Sequence, residues 1–149
     1  MPDITSFQGE YRWLSNFWVC PFEHEGFLFP TAEHAYQLAK CTNPQDAQKI
    51  ADAPTPGQAK KLGRRVQVRS DWEKVKVPLM QSIIHSKFKV PELREKLLAT
   101  DRAQLIEGNT WGDTFWGVCN GVGENYLGRI LMAVRAELPG PGRFPKPDL

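Results

Sequence analysis

Two ionisable side chains of opposite charge share one face of the first helix that the sequence predicts. Glu33 and Lys40 stand seven residues apart, which is close to two turns of an α-helix. Tyr36 and Gln37 fall on the turn between them, so one stripe presents a carboxylate, a phenol or an amide, and an amine. Inside a cavity these groups could act as acid, base or nucleophile. On a solvated helix face they would only pair their charges, and position alone leaves both interpretations open.

A second acid lies in a segment rich in glycine and tryptophan near the end of the chain. Residues 111–117 read WGDTFWG, which sets Asp113 between Trp111 and Trp116. Apolar walls disfavour the ionised form of a carboxyl group and would prepare Asp113 to donate a proton. The flanking glycines allow the backbone to approach a ligand closely. The alternative is that the rings pack against the core and that Asp113 caps a turn.

A basic segment lies between these two acids. Residues 60–76 contain seven lysines and arginines, among them Arg64, against two acids, although the net charge of the whole chain is only +2. A local positive excess predicts a site for an anion, and the alternative is a solvated helix face. Trp72 lies in the same segment. It could stack on a base, but the first core residue of a helix is the simpler interpretation.

Length and composition exclude several classes of protein. A chain of 149 residues with 41% hydrophobic and 24% charged residues is typical of one globular domain. Its three cysteines, Cys20, Cys41 and Cys119, are widely separated and form no metal-binding pattern, so we expect no disulfide framework, no metal and no other cofactor. The sequence shows no leader and no apolar run of membrane-spanning length. We therefore expect a cytoplasmic protein that does not engage a membrane.

The elements that must hold the two acids are predicted to be mainly helical. A short hairpin spans residues 22–29 and turns at Glu25-Gly26, because glycine supplies the positive φ angle that a tight turn needs. After the hairpin, Thr31 is a good N-cap for a helix over residues 32–41. The stripe that carries Glu33 belongs to this helix.

Further helices follow from the same kinds of start and stop signal. The predicted helices begin at Pro44, after a Thr55 cap, near Pro78, at Pro91 and after an Asn125 cap. Ser70 and Glu73 match a capping box, and residues 108–123 are predicted to form a functional loop. These signals predict a mainly α (α+β) fold. We expect one compact multihelical domain over residues 1–138 with a short N-terminal β-hairpin, followed by a proline-rich tail over residues 139–149.

Several separated motifs resemble those of the NADAR (YbiA-like) family. They occur in the same order as in the family, with similar spacing, over nearly the whole chain. The segments are 10–17 (EYRWLSNF), 29–37 (FPTAEHAYQ), 59–64 (AKKLGR), 70–72 (SDW), 87–88 (KF), 97–100 (LLAT), 113–117 (DTFWG) and 123–132 (GENYLGRILM). Such a series is highly specific, and the resemblance implies the compact, mainly helical YbiA-like fold.

The resemblance also implies an enzyme that hydrolyses N-glycosidic bonds. Some members of the family remove ADP-ribose from guanine bases of nucleic acid, and others cleave phosphoribosylamino intermediates of riboflavin biosynthesis. The expected substrate is therefore an ADP-ribosyl or phosphoribosyl N-glycoside, and ADP-ribosylated DNA or RNA is an expected partner. Riboflavin-linked members read WGDGG in the final loop, whereas here Trp116-Gly117 is followed by Val118-Cys119-Asn120. This difference weighs against the riboflavin substrate.

The site residues carry over from the same resemblance. The pocket positions are Glu33, Trp72, Asp113 and Trp116, and the expected contacts with sugar or phosphate are Asn16 and Arg64. Lys40 is the candidate for an imine with the opened sugar, because it lies on the face of Glu33. We expect Glu33 to stabilise a cationic sugar or to activate water, and Asp113 to assist the departure of the base.

Two functions of other classes compete with hydrolysis. A non-catalytic reader of ADP-ribose would need a similar pocket, but two buried acids would repel the phosphates of its ligand. A plain nucleic-acid binder would use the basic segment 60–76, which lacks the larger positive excess typical of that class. The residues therefore favour hydrolysis.

Overall fold

The computed structural model describes residues 2–139, and helices dominate this part of the chain. The α-helices are α1 (Ala32–Ala39), α2 (Pro44–Ala51), α3 (Pro56–Gly63), α4 (Trp72–Lys87), α5 (Pro91–Ala99) and α6 (Tyr126–Glu137). A 3-10 helix (Gly9–Leu14) precedes them, and the short strands are β1 (Phe22–His24), β2 (Phe27–Phe29), β3 (Gly108–Asn109) and β4 (Val118–Cys119). The predicted mainly α (α+β) fold is confirmed, while the predicted proline-rich tail lies, beyond Pro139, outside the described residues. None of the helices within residues 2–139 combines the length and the apolar character needed to cross a bilayer.

The predicted hairpin is confirmed. Strands β1 and β2 are antiparallel and pair Phe22 with Phe29, both of which are buried. The turn uses Glu25 and Gly26 with φ angles of 51° and 82°, in the region that glycine adopts without steric cost. The hairpin packs against α4 through β1 and against α1 through β2.

Side-chain caps begin the first three helices where the sequence predicts them. Thr31, Asn43 and Thr55 each accept a hydrogen bond from the backbone N–H three residues later. Pro44 and Pro56 follow the second and third caps, at positions whose N–H groups have no helical partner. Local chemistry therefore fixes where these helices start.

The fourth helix differs from its prediction. Helix α4 begins at Trp72 and continues through Pro78, where the sequence favours a start. Proline removes one helical hydrogen bond and crowds the preceding turn. Burial of Trp72 before the proline and of Met80 and Ile83 after it holds both parts of α4 against the core. Tertiary packing thus outweighs the local signal.

Two predicted caps have other roles in the structure. The box predicted at Ser70 is not formed, because Asp71 occupies the N-cap of α4 without a capping bond and pairs with Arg69 at 2.6 Å. Asn125 is the N-cap of α6, but it has a left-handed backbone and makes no side-chain capping bond. Its side chain accepts a hydrogen bond from the N–H of Glu107 and donates one to the carbonyl of Leu105. Asn125 therefore joins α6 to the segment before β3.

The core lies between α1, α4 and α6. Helix α4 packs against both α1 and α6, and α1 also packs against α2 and α3. The fully buried side chains include Leu14, Ile84, Leu97, Leu105 and Leu131. Each contributes roughly 1.5–3 kcal/mol of burial free energy. Because three neighbouring helices hold α1, it is a rigid base for the side chains that it carries.

Two short strands order the segment that the sequence predicts as a functional loop. Strands β3 and β4 are parallel and pair Gly108 with Val118 and Asn109 with Cys119. The residues between the strands, 110–117, are therefore tied together at both ends. They hold the second acid, Asp113, in a defined place.

Candidate active site

A cavity of about 770 Å³ lies beside α1, within the size range of small-molecule sites. Glu33 and Lys40 of α1 line it, together with Asp113 and Trp116 of the segment between β3 and β4. Asn16, which follows the 3-10 helix, also lines it. The acid of the first helix and the acid of the late loop therefore face the same cavity.

Glu33 is a buried carboxyl group held in a fixed position. The residue is only 7% exposed, and Gln37 donates a 2.7 Å hydrogen bond from Nε2 to Oε1 of Glu33. The backbone N–H of Glu33 donates to the carbonyl of Asn16 at 3.0 Å. Burial raises the pKa of Glu33, while the Gln37 hydrogen bond and the charges of Lys60 and Lys40 oppose this rise. Glu33 can therefore exchange a proton closer to neutral pH than an exposed glutamate.

Lys40 is the C-cap of α1, and its side chain lines the cavity. Its Nζ lies 5.6 Å from the ring centroid of Tyr36 and 5.8 Å from that of Trp72, within the range of cation–π contacts. Burial lowers the pKa of Lys40, the charge of Glu33 opposes this, and the charge of Arg64 adds to it. A lower pKa increases the fraction of free amine, which is the form that attacks a carbonyl carbon.

Asp113 both caps a turn and lines the cavity. Its Oδ1 accepts hydrogen bonds from the backbone N–H groups of Phe115 at 3.1 Å and Trp116 at 2.9 Å. Asn109 donates to the carbonyl of Asp113 at 2.9 Å and accepts from its N–H at 3.0 Å. Asp113 therefore caps the turn through Oδ1, as the alternative interpretation expected, and the residue also lines the cavity.

A third acid, Glu107, lines the same cavity, and the sequence pattern gave no indication of it. Its Oε2 atom is buried without a hydrogen-bond partner among residues 2–139. Burial and then the charges of Asp113 and Glu33 raise the pKa of Glu107 to about 8, against a lowering by Lys60. The sequence offers only a weak signal for Glu107. It is a single acid between the apolar residues 105–106 and Gly108, and it lies outside the family motifs.

Both predicted sugar or phosphate contacts line the cavity. Asn16 is buried, with Nδ2 3.5 Å from the sulfur of Met80, and its Oδ1 has no hydrogen-bond partner within the described part of the chain. Such an oxygen costs free energy unless a ligand or water pairs with it. Arg64 is the exposed C-cap of α3, and Lys60 of the same helix also lines the cavity. Helix α3 thus brings two positive charges to the site.

The two predicted tryptophans differ in position. Trp116 lines the cavity, and its ring stands at 86° to that of Tyr36 with the centroids 5.5 Å apart. Trp72 is outside the cavity lining and only 8% exposed, and it packs against Tyr36 at 5.1 Å. The structure therefore places Trp72 directly behind the cavity lining, in contact with the lining residues Tyr36 and Lys40. Its alternative interpretation as a core residue fits.

Two exposed aromatic residues line the cavity instead. Trp111 is 56% exposed and Phe17 is 42% exposed. Nζ of Lys60 lies 5.8 Å from the ring centroid of Phe17. Exposed rings beside positive charges are typical of sites that bind nucleotide bases. Both residues fall in or beside the motif segments, but the sequence does not distinguish an exposed ring from a buried one.

Opposite charges meet in this cavity. The acids are Glu33, Glu107 and Asp113, and the bases are Lys40, Lys60 and Arg64. The acids can exchange protons or stabilise a cation, and the bases suit the anionic part of a ligand. Within residues 2–139, no three His, Cys, Asp or Glu side chains are grouped in a way that could hold a metal ion.

Comparison with known proteins gives concordant matches in sequence. The NADAR domain profile matches residues 5–139. The N-glycosidase YbiA of Shigella boydii is 36% identical over 140 residues, which cover 91% of this chain and 87% of that protein. A chloroplastic riboflavin biosynthesis protein of Zea mays is 41% identical over 128 residues, which cover 76% of this chain and 20% of that protein.

The match extends to three-dimensional structure. The NMR structure of YbiA from Escherichia coli superposes with a TM-score of 0.82 and 34% sequence identity, covering 92% of this chain and 86% of that one. The matched range 5–139 includes α1 and the β3–β4 segment, and therefore both acids that the sequence indicated. All the residues that line the cavity also lie within this range. Because both the sequence and the fold match over nearly the whole chain, the chain belongs to the NADAR domain family.

Proposed function

We propose that this chain hydrolyses the C–N bond between a ribose carbon and a nitrogen base, and that its substrate is ADP-ribose attached to a guanine base of nucleic acid. One observation carries the proposal: Glu33, Asp113 and Lys40 line a single cavity. The relatives that this chain matches over most of their own length are named N-glycosidases, which supports the class of reaction. The choice of ADP-ribose is supported by the basic side chains of the cavity, which suit its diphosphate, and by the tryptophan rings, which suit its adenine.

Cleavage of a ribosyl C–N bond passes through an oxocarbenium-like sugar. That state requires negative charge near the ring and a proton at the departing nitrogen. Glu33, fixed by Gln37, stabilises the sugar cation in its ionised form or takes a proton from the attacking water. Asp113 adds a second carboxyl group from the segment between β3 and β4, and it assists departure of the base.

Lys40 is the proposed site of a covalent adduct with the sugar after the C–N bond has been cleaved. Its amine adds to the C1 aldehyde of the opened ribose, and loss of water forms an imine. Addition of water to the imine then releases the aldehyde and restores the amine. The lowered pKa of Lys40, caused first by burial, supports this role because the free amine is the attacking form.

The remaining parts of ADP-ribose suit the other residues of the cavity. Arg64 and Lys60 would bind the diphosphate through charge-assisted hydrogen bonds. Asn16, with its buried and unpaired Oδ1, would accept a hydrogen bond from a ribose hydroxyl. Trp116 inside the cavity and the exposed Trp111 offer rings for the adenine or the target base.

A phosphoribosylamino intermediate of riboflavin biosynthesis is the second candidate substrate. It contains the same kind of C–N bond, and the Zea mays relative named for riboflavin biosynthesis is 41% identical over the matched residues. This substrate has one phosphate and no adenine, so it would leave the exposed ring of Trp111 unused. A non-catalytic reader of ADP-ribose is disfavoured, because several acids in the cavity would repel the phosphates without any benefit to binding.

Product analysis separates the candidates. Purified protein is incubated in parallel with DNA carrying ADP-ribosylated guanine and with phosphoribosylaminouracil, and the products are identified by mass spectrometry. We expect free ADP-ribose and unmodified guanine from the first substrate. Conversion of the second substrate alone would assign the chain to riboflavin chemistry. Tight binding of ADP-ribose without conversion of either substrate would identify a reader.

A further inference from the structure

Glu107 occupies a rigid position in the cavity wall. Its backbone N–H donates to Oδ1 of Asn125 at 3.0 Å, and its carbonyl accepts from the N–H of Val118 at 2.9 Å. The backbone N–H of the preceding residue, Ile106, donates a hydrogen bond to the carbonyl of Ile4 at 2.8 Å. The backbone around Glu107 is therefore bonded to three separate segments, which fixes the origin of its side chain.

The carboxyl group of Glu107 is enclosed but unpaired. Its Oε2 is buried and accepts no hydrogen bond from any described residue. Gly117 packs directly on it, because a Cβ added at Gly117 would lie 3.1 Å from Oε2 and 2.2 Å from the carbonyl oxygen of Glu107. Buried carboxylates normally have partners, so an enclosed and unpaired oxygen suits the protonated form of the acid.

Two of the three charges that act on Glu107 favour its neutral form. Asp113 and Glu33 both repel a negative charge on it, and Lys60 is the basic group that attracts one. Burial is the largest effect, and together these influences raise the pKa of Glu107 to about 8. At neutral pH most Glu107 side chains therefore carry a proton.

Asp113 is less free to reach a leaving group. Its Oδ1 already accepts two backbone N–H groups, from Phe115 and Trp116, so these bonds tie that oxygen to its own turn. Glu107 differs, because its Oε2 makes no hydrogen bond with any described residue. Of the two acids, Glu107 is therefore the one whose carboxyl group is less engaged by the protein.

We propose that Glu107 donates the proton to the nitrogen that leaves the ribose. The inference rests on the proposed cleavage of a ribosyl C–N bond, whichever base departs. As that bond breaks, its electron pair goes to the nitrogen, which takes the proton from Glu107. Water then adds to the sugar carbon, and the proton that it loses restores Glu107. Proton donation is thereby assigned to Glu107 and not to Asp113.

Kinetics of Glu107 variants test the assignment on whichever of the two candidate substrates the wild type converts. Glu107→Gln keeps the size of the side chain but cannot donate a carboxyl proton. We expect its kcat to fall about 100-fold to 10,000-fold, with KM nearly unchanged. The wild-type loss of kcat near pH 8 should also disappear. Glu107→Asp should retain part of the activity and the alkaline loss, and Glu95→Gln, at an exposed site on α5, should match the wild type.

An infrared measurement tests the same proton without a substrate. The difference spectrum between wild type and Glu107→Gln should contain the carbonyl stretch of a protonated carboxyl group at pH 6, and this band should vanish on titration to pH 9. Absence of the band at pH 6, or a folded Glu107→Gln variant with wild-type kcat and an unchanged alkaline limb, would overturn the assignment. If the wild type converts neither substrate, the proposed function fails, and the infrared band alone decides whether Glu107 holds the required proton.

Discussion

Gly63 of α3 makes room for the side chain of Gln37 of α1. A Cβ added at Gly63 would lie 1.9 Å from Oε1 of Gln37, so no larger residue fits between the two helices at this point. Gln37 in turn donates the 2.7 Å hydrogen bond that holds Glu33. The position of Glu33 in the cavity thus depends on the absence of a side chain at Gly63 of the neighbouring helix.

Gly63→Ala should displace Gln37 and, through it, Glu33. We expect an overpacking cost of about 1–3 kcal/mol in the free energy of unfolding. Misplacement of the acid should lower kcat by about 100-fold. Gly57→Ala is the matched control in the same helix, because a Cβ there would meet only Oγ1 of Thr55, at 3.9 Å. Urea denaturation and steady-state kinetics measure both variants, and equal values for the two would show that Gly63 does not set the position of Gln37.

Borohydride should trap a covalent adduct on Lys40 during turnover. Reduction converts an imine into a stable secondary amine, which peptide mass spectrometry can locate. Because burial lowers the pKa of Lys40, trapping should already be efficient near neutral pH. Lys40→Arg should abolish the adduct, whereas Lys74→Arg, at an exposed site on α4, should leave it unchanged. An adduct that persists in Lys40→Arg would exclude the proposed imine.

Lys87 should make stability depend on pH in the alkaline range. It is 1% exposed, and its Nζ donates a 2.9 Å hydrogen bond to the carbonyl of Ser15. Burial lowers the pKa of Lys87 to about 7, from 10.5 for an unperturbed lysine. Between these two values the unfolded chain binds more protons than the folded one. The Lys87 contribution to the free energy of unfolding therefore rises with pH across this window.

Lys87→Met should remove this contribution. Relative to the wild type, the variant should be most favoured at or below pH 7. That advantage should shrink as the pH rises, by at most about 1.4 kcal/mol per pH unit. Urea denaturation at several pH values between 7 and 10 measures the difference, with Lys89→Met, at an exposed position, as control. A difference that stays constant over this range would show that Lys87 does not titrate as described.

Trp72 and Trp111 should respond to truncation in opposite ways. Trp72→Ala removes a buried ring and should cost about 3–5 kcal/mol of unfolding free energy. Trp111→Ala removes an exposed ring of the cavity lining. It should leave stability unchanged and weaken binding of the ADP-ribosyl substrate by about 1–3 kcal/mol. Thermal denaturation measures the change in stability, and KM values measure the change in binding. A Trp72→Ala variant of unchanged stability and weakened binding would show that Trp72 contacts the substrate.

Local chemistry explains which parts of the fold were predictable. The caps at Thr31, Asn43 and Thr55 depend on residues within one helical turn, so the sequence alone locates these helix starts. The start of α4 was not predictable in this way. The local cost of Pro78 is visible in the sequence, whereas the burial of Trp72 that outweighs it arises from distant parts of the chain.

The same distinction applies to the candidate site. Helical periodicity places Lys40 near Glu33, but periodicity cannot bring Asp113 to them, and that expectation came from the family resemblance. Glu107 was missed because its properties come from burial and from the charges of Asp113 and Glu33, which only the folded chain brings around it. The motif that contains Trp72 likewise does not show whether its ring lines the cavity or packs behind the lining.

The proposed function requires the carboxyl group of Glu33 to act on a ribosyl C–N bond in this cavity. Release of free ADP-ribose from ADP-ribosylated guanine DNA, followed by mass spectrometry, tests it with Glu33→Gln, which keeps the shape of the side chain and removes its charge. We expect folded Glu33→Gln to release ADP-ribose at least about 100-fold more slowly than the wild type, while Glu95→Gln, at an exposed site on α5, is unaffected. A folded Glu33→Gln protein that releases ADP-ribose at the wild-type rate would contradict the claim.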